Sequence, residues 1–268
     1  SNKTYVYAAM ATPTKQLNVI DVTDIYNPVL VASSTLINTS GSFPQGWRLA
    51  YYRDRLYVIN RETAGAEFHV FNVSNPTNPI ELGSGTSLNI TVESITIQEK
   101  MIGGVTKRFA YLATDQNSAE LKVYDITDPF NIGTISEVIP ARQDLAGNQD
   151  GAGVYAIGNK LYFGRQSVPG GPDLYIFDIT NPTTGLPLIE SSDIGTSVLH
   201  IIVAGKIGFL ATSKAGKEIQ IWNVFNSPIT LITTYNFGNL VDQGIDYETD
   251  FLYSSGQATP NFRILYSP

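Results

Sequence analysis

A six-residue phrase recurs along this chain and constrains its fold more than any single residue. The phrase starts with alternating apolar residues, reaches an Asp or Asn, and leads into a turn that contains proline. Clear copies occupy residues 17–22, 68–73, 121–126, 174–179 and 219–224, and a weaker copy occupies residues 262–267. Self-similarity at a steady period is the mark of a repeat architecture, so the fold must be built from one repeated unit.

The period of the repeat identifies that unit. Successive copies begin 43 to 53 residues apart, close to the ~40–50 residues of a four-stranded propeller blade. We therefore predict an all-β, six-bladed β-propeller with four-stranded antiparallel blades, formed by residues 1–268 as a single domain. Seven blades is the alternative. No stretch has a sustained 3.6-residue apolar period, which predicts essentially no helix.

The first and last repeat units are each one strand short of a complete blade. The first unit lacks an inner strand and the last lacks an outer strand, so we expect residues upstream of Ser1 to supply both. The Asp or Asn of each phrase is predicted to accept a backbone N–H two residues further on, as turn residues of this type do. These residues are Asp21, Asn72, Asp125, Asp178 and Asn223.

Composition excludes several classes of function. The net charge is −7 and the basic residues form no cluster, which argues against nucleic-acid and anionic-membrane partners. The absence of cysteine excludes disulfides, thiolate metal sites and cysteine catalysis. Charged residues make up only 15% of the chain, and Ser, Thr and Asn are abundant. The lack of cysteine fits either a reducing compartment or a surface protein without disulfides, and the low-charge composition favours an extracellular or cell-surface location. We also expect a monomer, for which an anchoring segment absent here is one option.

The phrase also carries a resemblance to a known family. Residues 19–22, 123–126 and 176–179 read Val-Ile-Asp-Val, Val-Tyr-Asp-Ile and Ile-Phe-Asp-Ile, and each precedes a turn with proline. The chain resembles the LVIVD-repeat propellers, which are bacterial and archaeal proteins, often at the cell surface. The resemblance implies the propeller fold and a bacterial or archaeal surface location, but it implies no shared catalytic residues.

Variation among the loops indicates where a ligand would bind. The turns after the third strands are short and alike, whereas the connections from each outer strand to the next inner strand differ greatly. Binding residues concentrate on variable loops that a rigid scaffold positions. We therefore expect a ligand site where these connections meet the channel mouth. Its candidate residues are Trp47, Arg48, Glu93, Arg165, His200, Asp242 and Gln243.

These candidates come from an alignment of the inner strands, and the alternative is that they pair with one another around a water-filled channel. The alignment places Arg48 and Glu93 level with Leu199 and Gln243. His200 is the odd polar residue of its own column, whereas His69 belongs to a polar column on the third strands and is expected to be structural. No second histidine accompanies His200, which argues against a zinc site.

Acidic residues suggest one metal site. Asp144, Asn148 and Asp150 share one long loop followed by glycine, and such oxygen-rich loops can hold calcium. An ordinary polar loop is the alternative. A second acidic set repeats too regularly at the third-strand entrances to be catalytic. It comprises Glu67, Glu120, Asp173 and Glu218.

Three functions remain open from the sequence. The first is a non-enzymatic cell-surface or secreted scaffold that binds a protein or glycan on the variable-loop face, with Phe43 and Tyr51 among the aromatic residues there. The second is a metal-assisted hydrolase or lyase at the channel mouth, using Glu93, Asp150, His200 and Asp242. The third is a structural head module of an anchored surface protein or filament. A propeller fold can host all three.

Overall fold

The chain is a six-bladed β-propeller made of antiparallel sheets, which confirms the predicted fold class. The structure is a computed structural model. It describes residues 3–40, 46–60, 64–128, 135–167, 170–236, 242–248, 250–256 and 262–266. Within these ranges the only helical segments are two 3-10 turns, Ile139–Ala141 and Pro182–Thr184. No helix in the described ranges is long and apolar enough to cross a membrane.

The chain falls into two compact units, Ser1–Tyr111 with Val123–Glu137, and Leu112–Lys122 with Val138–Pro268. The first unit contains blades 1 and 2 and a two-stranded ribbon. Blade 1 consists of β1 (Tyr5–Ala9), β2 (Leu17–Asp21) and β3 (Val29–Ser34). The ribbon pairs β4 (Thr39–Ser40) with β7 (Ala64–Gly65). Blade 2 consists of β5 (Gly46–Tyr52), β6 (Arg55–Asn60), β8 (Phe68–Asn72) and β9 (Ile80–Glu81).

Blade 3 contributes strands to both units, and blades 4 to 6 belong to the second. Blade 3 consists of β10 (Val92–Ile102), β11 (Val105–Thr114), β12 (Leu121–Asp125) and β13 (Ser136–Glu137). Blade 4 consists of β14 (Gly151–Ile157), β15 (Lys160–Arg165), β16 (Leu174–Asp178) and β17 (Leu188–Ser192). Blade 5 consists of β18 (Val198–Ala204), β19 (Ile207–Thr212), β20 (Ile219–Asn223) and β21 (Thr230–Tyr235). Blade 6 consists of β22 (Asp242–Glu248), β23 (Phe251–Gly256) and β24 (Phe262–Tyr266).

Blades 1 and 6 have three strands each within the described residues, as the sequence predicts. β1 pairs directly with β2, so blade 1 begins at its second strand. β24 pairs with β23 and is the third strand of blade 6. That upstream residues complete these two blades remains a prediction.

The third strands of blades 2, 3 and 4 are buried on both faces, since each has four successive buried residues. In β16, all four residues from Leu174 to Phe177 are buried. In the first unit, Leu17 of blade 1 packs in one apolar cluster with Val58 and Phe71 of blade 2. Complete burial of side chains of this size stabilises the fold by about 1.5–3 kcal/mol each. The repeated apolar phrase is therefore the contact surface between blades.

The turns after the third strands have the predicted geometry. In five blades the Asp or Asn at the end of the third strand accepts the N–H two residues on, at 2.7–3.1 Å. We call this end of each sheet its turn end and the opposite end, where the inner strand begins, its connection end. The accepting residues are Asp21, Asn72, Asp125, Asp178 and Asn223.

The inner strands carry a feature that the sequence alignment missed. In blades 2, 4, 5 and 6 the register slips by one residue near the strand start. Such a β-bulge places one extra residue opposite its partner strand. The extra residues are Trp47, Ala152, Leu199 and Gln243. The alignment of Arg48 with Leu199 and Gln243 is therefore wrong by one position, since Arg48 matches His200.

Candidate functional site

The connection ends of the blades are held by a repeated set of buried side chains, which we call the anchor acceptors. Each member is the residue directly before a third strand, and each is fully buried. They are Gln16, Glu67, Glu120 and Asp173. Glu218 is equally buried at the matching position of blade 5, where its Oε1 accepts the Gly216 N–H of the loop between β19 and β20 at 2.9 Å. The sequence shows the regularity of the four acids but not their role, and it gives no sign that Gln16 belongs with them.

The anchor acceptors bind the main chain of the connections. In the first unit, Gln16 Oε1 accepts the N–H of Leu36 at 3.1 Å, and Glu67 Oε2 accepts that of Leu88 at 2.6 Å. In the second unit, Asp173 Oδ2 accepts the N–H groups of three successive residues, 194–196, at 2.9–3.2 Å. Charged acceptors form the stronger class of hydrogen bond. These bonds therefore fix the base of loops that differ in sequence and length.

Arg165 belongs to this anchoring system and is fully buried. Its Nη2 donates to the carbonyl of Ala146 at 2.6 Å, and Glu120 Oε2 accepts the N–H of the preceding residue, Leu145, at 2.8 Å. The Arg165 guanidinium also lies 5.9 Å from the centre of the Tyr175 ring. Two adjacent residues of one connection are thus held by opposite charges.

Not every polar atom of this pair is satisfied within the described residues. Nε and Nη1 of Arg165 and Oε1 of Glu120 are buried without a hydrogen-bond partner. Burial raises the pKa of the Glu120 carboxyl, and this outweighs the lowering by the Leu145 N–H and by the charge of Arg165. An unsatisfied buried donor or acceptor costs about 1–3 kcal/mol. The contacts of Arg165 and Glu120 with this connection therefore carry a free-energy cost from their unsatisfied atoms.

Three of the predicted ligand-binding residues come together in the first unit. Trp47 Nε1 donates to Glu93 Oε2 at 3.1 Å, and Arg48 Nε donates to the Glu93 carbonyl at 3.1 Å. The Arg48 guanidinium lies 5.4 Å from the centre of the Trp47 ring. All three side chains are partly exposed. They form a polar and aromatic cluster suited to binding a partner's polar group.

The two histidines are both held by hydrogen bonds. His200 is partly buried in the second unit, and its Nδ1 accepts the N–H of Ile245 at 3.1 Å. His69 is fully buried, with Nδ1 2.7 Å from Glu81 Oε1 and Nε2 2.9 Å from the Ala66 carbonyl. The structural role predicted for His69 is confirmed. His200 ties β18 to β22.

The remaining candidates lie in different places. Asp242 and Gln243 begin β22, but their side chains are outside the described residues, as is Phe43. Tyr51 is at the turn end of β5, where Asp54 donates its N–H to the Tyr51 hydroxyl at 3.3 Å. The prediction that Tyr51 is on the variable-loop face was wrong. β5 begins at that face, and Tyr51 is near the opposite end of the strand.

The acidic loop predicted to bind calcium is only partly organised. Asp144 and Asn148 are exposed, and Asp150 is partly buried with Oδ2 accepting from Gln166 Nε2 at 3.1 Å. Burial and the charge of Asp115 raise the pKa of Asp150. Across the described ranges no three Asp, Glu, His or Cys side chains group as a metal site. Calcium binding by Asp144, Asn148 and Asp150 stays a prediction.

Comparisons with known proteins bear on the fold. No family model and no curated protein matches the chain. A chain of a nidogen/laminin complex is similar, with a TM-score of 0.63 and 8% identity over 99% of this chain and 89% of the other. The periplasmic gluconolactonase of Pseudomonas aeruginosa has a TM-score of 0.60 and 10% identity, over 99% and 70%.

A chain of the mitotic checkpoint complex has a TM-score of 0.59 and 13% identity, over 93% and 70%. Identities this low establish the propeller fold and nothing more about this chain. Because the three proteins differ in function, the fold itself does not choose between binding and catalysis.

Proposed function

We propose that this protein is a non-enzymatic binding scaffold, at a cell surface or secreted, whose connection loops hold a protein or glycan partner. The observation that carries the proposal is the set of anchor acceptors. Main-chain bonds to buried side chains fix the base of four connections independently of their outer sequence. A rigid base under variable loops is the arrangement on which binding surfaces are commonly built.

The exposed residues of these loops support the same function. The connection before blade 4 exposes Asp144 and Asn148, the connection before blade 5 exposes Asp193, and the loop between β19 and β20 exposes Lys214. Their amide, carboxylate and ammonium groups can donate to and accept from a partner. A partner bound this way would be recognised by several weak polar contacts from loops with fixed bases.

The resemblance to LVIVD-repeat propellers agrees with the surface location and with a bacterial or archaeal source. It also agrees with the low charge of the chain, since a polar surface rich in Ser, Thr and Asn needs few ionic groups. We therefore place the protein among surface binding modules.

The test compares two triple variants against a printed array of glycans and of extracellular protein domains. Asn148→Ala, Asp193→Ala and Lys214→Ala together alter the connection end of the second unit. We expect this variant to lose at least about tenfold in affinity for any probe that binds the unaltered protein. The melting temperature should be unchanged, because all three side chains are exposed.

The control carries Thr180→Ala, Lys206→Ala and Asn226→Ala, which are exposed at the turn ends of the same blades. It should bind like the unaltered protein. Equal losses in both variants, or binding to none of the probes, would overturn the proposal. Hydrolysis of a lactone or glycoside substrate that Glu93→Gln abolishes would replace it with the enzyme hypothesis.

A further inference from the structure

A cleft lined by tyrosines opens at the turn ends of blades 1 and 2, within the first unit. Its volume is about 460 Å³, within the range of small-molecule sites. The side chains that matter for its chemistry are those of Lys3, Tyr5, Tyr7, Tyr51, Asp54 and Ser74. The cleft is separate from the connection loops, since it lies at the other end of the sheets.

Two of the tyrosines form a shelf. The rings of Tyr7 and Tyr51 have centroids 5.9 Å apart and planes only 10° from parallel. The two rings are stacked. Tyr51 is 55% exposed. Tyr5 and Tyr7 are two residues apart on β1 and so point to the same face of the strand.

The polar groups that line the cleft include charges of both signs. Lys3 Nζ bonds Asp21 Oδ2 at 2.7 Å, and an ammonium group has two further N–H donors. Asp54 is an exposed carboxylate acceptor, and Ser74 an exposed hydroxyl. Burial raises the pKa of Tyr7, and the nearby Tyr51, Tyr5 and Asp54 raise it further.

This combination favours one class of ligand. A strongly charged ligand of either sign meets a like charge, from Lys3 or from Asp54. An apolar ligand would leave the ammonium, carboxylate and hydroxyl groups unsatisfied, which is costly. A neutral polyhydroxylated ring suits both parts of the cleft, because its C–H face packs on aromatic rings and its hydroxyls bond the polar groups.

We propose that this cleft binds a neutral oligosaccharide, with a sugar ring on the shelf of Tyr7 and Tyr51 and hydroxyl groups bonded to Lys3, Asp54 and Ser74. The cleft is a second binding site, and its occupation does not depend on the connection loops. A propeller with both sites holds a polysaccharide at one end of its sheets and a partner at the other.

The test measures binding of the 268-residue protein to neutral hexasaccharides of β-1,4-linked glucose, β-1,4-linked N-acetylglucosamine and β-1,4-linked mannose by isothermal titration calorimetry. At least one should bind. Tyr51→Ala should weaken that binding at least about tenfold, because the ring supplies much of the contact. Tyr51→Phe should bind nearly as well, because the hydroxyl only accepts the Asp54 N–H.

Tyr26→Ala is the matched control, since Tyr26 is in the same unit, is 87% exposed and is not part of the cleft. It should leave the affinity unchanged, as should the triple variant of the connection loops. Three results would overturn the proposal: none of the three hexasaccharides binds, Tyr26→Ala weakens binding as much as Tyr51→Ala, or choline or a heparin hexasaccharide binds more tightly than the neutral sugars in a Tyr51-dependent way.

Discussion

At both ends of blade 4, a side-chain carboxylate accepts main-chain N–H groups, but the carboxylate at the connection end is more deeply buried. At the connection end, the anchor acceptors are fully buried, and a single oxygen of Asp173 holds three N–H groups. At the turn end, Asp178 is partly exposed and holds one N–H two residues away. We therefore expect burial, rather than the type of bond, to decide how much each contact stabilises the fold.

One acid from each end also differs in the direction of its pKa shift. Burial raises the pKa of Glu120 at a connection end. At a turn end, hydrogen bonds from Lys3 and Thr23 lower the pKa of Asp21 to about 2. The fold therefore favours the neutral form of one carboxyl and the ionised form of the other. The following predictions test this contrast, starting with the largest effect.

Asp173→Ala should lower the free energy of unfolding by about 3 kcal/mol, because the N–H groups of Ile194 and Thr196 lose their acceptor and Gly195 loses one of its two acceptors. Urea denaturation of both proteins measures this. The control is Asp193→Ala, because exposed Asp193 accepts the same Gly195 N–H at 2.8 Å. Its effect should be within about 0.5 kcal/mol. Equal effects of the two substitutions would contradict the role given to burial.

Glu120→Gln should change how stability depends on pH. With a raised pKa in the folded state, Glu120 contributes stability that is complete below its ordinary value of 4.5 and is lost as the pH rises through the folded value. Relative to Glu120→Gln, the unaltered protein should therefore become less stable as the pH rises above about 4.5.

Urea denaturation at several pH values checks the Glu120 prediction, with Asp193→Asn as the exposed control. A parallel pH dependence in the unaltered protein and in Glu120→Gln would show that the fold does not favour the neutral carboxyl.

Asp178→Ala should cost about 1 kcal/mol, since one partly exposed bond to the Thr180 N–H is lost. Asp178→Asn should cost much less, because two other blades use Asn72 and Asn223 at this position. Thermal unfolding of the two variants measures the difference. A loss with Asn as large as with Ala would mean that the negative charge matters more than the acceptor.

Lys3→Ala should have the smallest effect on stability, because the Lys3 side chain is 52% exposed and solvent weakens its pair with Asp21. It should instead move the pKa of Asp21 upward from about 2 toward its ordinary 3.8. The lowered pKa means that Asp21 adds stability above pH 3.8 that is lost as the pH falls toward 2. Carboxyl chemical shifts in an NMR titration report the change. An unmoved Asp21 pKa would show that the turn bonds alone hold it.

The sequence predicted the fold and the turn ends well because both depend on local pattern. The repeated phrase gives the blade count, and the Asp or Asn two residues before an N–H gives the turn bond. What could not be predicted depends on pairing between strands. One extra residue at Trp47 or Leu199 shifts a whole strand without altering its composition.

The candidate site was predicted less well for the same reason. Trp47, Arg48 and Glu93 do come together, but Arg165 is buried as an anchor. Tyr51 is at the other end of its strand from the expected place. A charge or an aromatic residue marks a position as special, but only the tertiary structure decides whether it faces solvent or the loop that it holds.

The anchor acceptors have a consequence for protein engineering. Acceptor and donor are separated by 20, 21, 22 or 25 positions in different blades. The same hydrogen bond is therefore compatible with connections that differ in length by several residues. Foreign peptides can therefore be inserted into a connection on either side of the residue whose N–H is bound, as antibody loops are grafted onto a new framework. A library diversified there would present many sequences from one unchanged core.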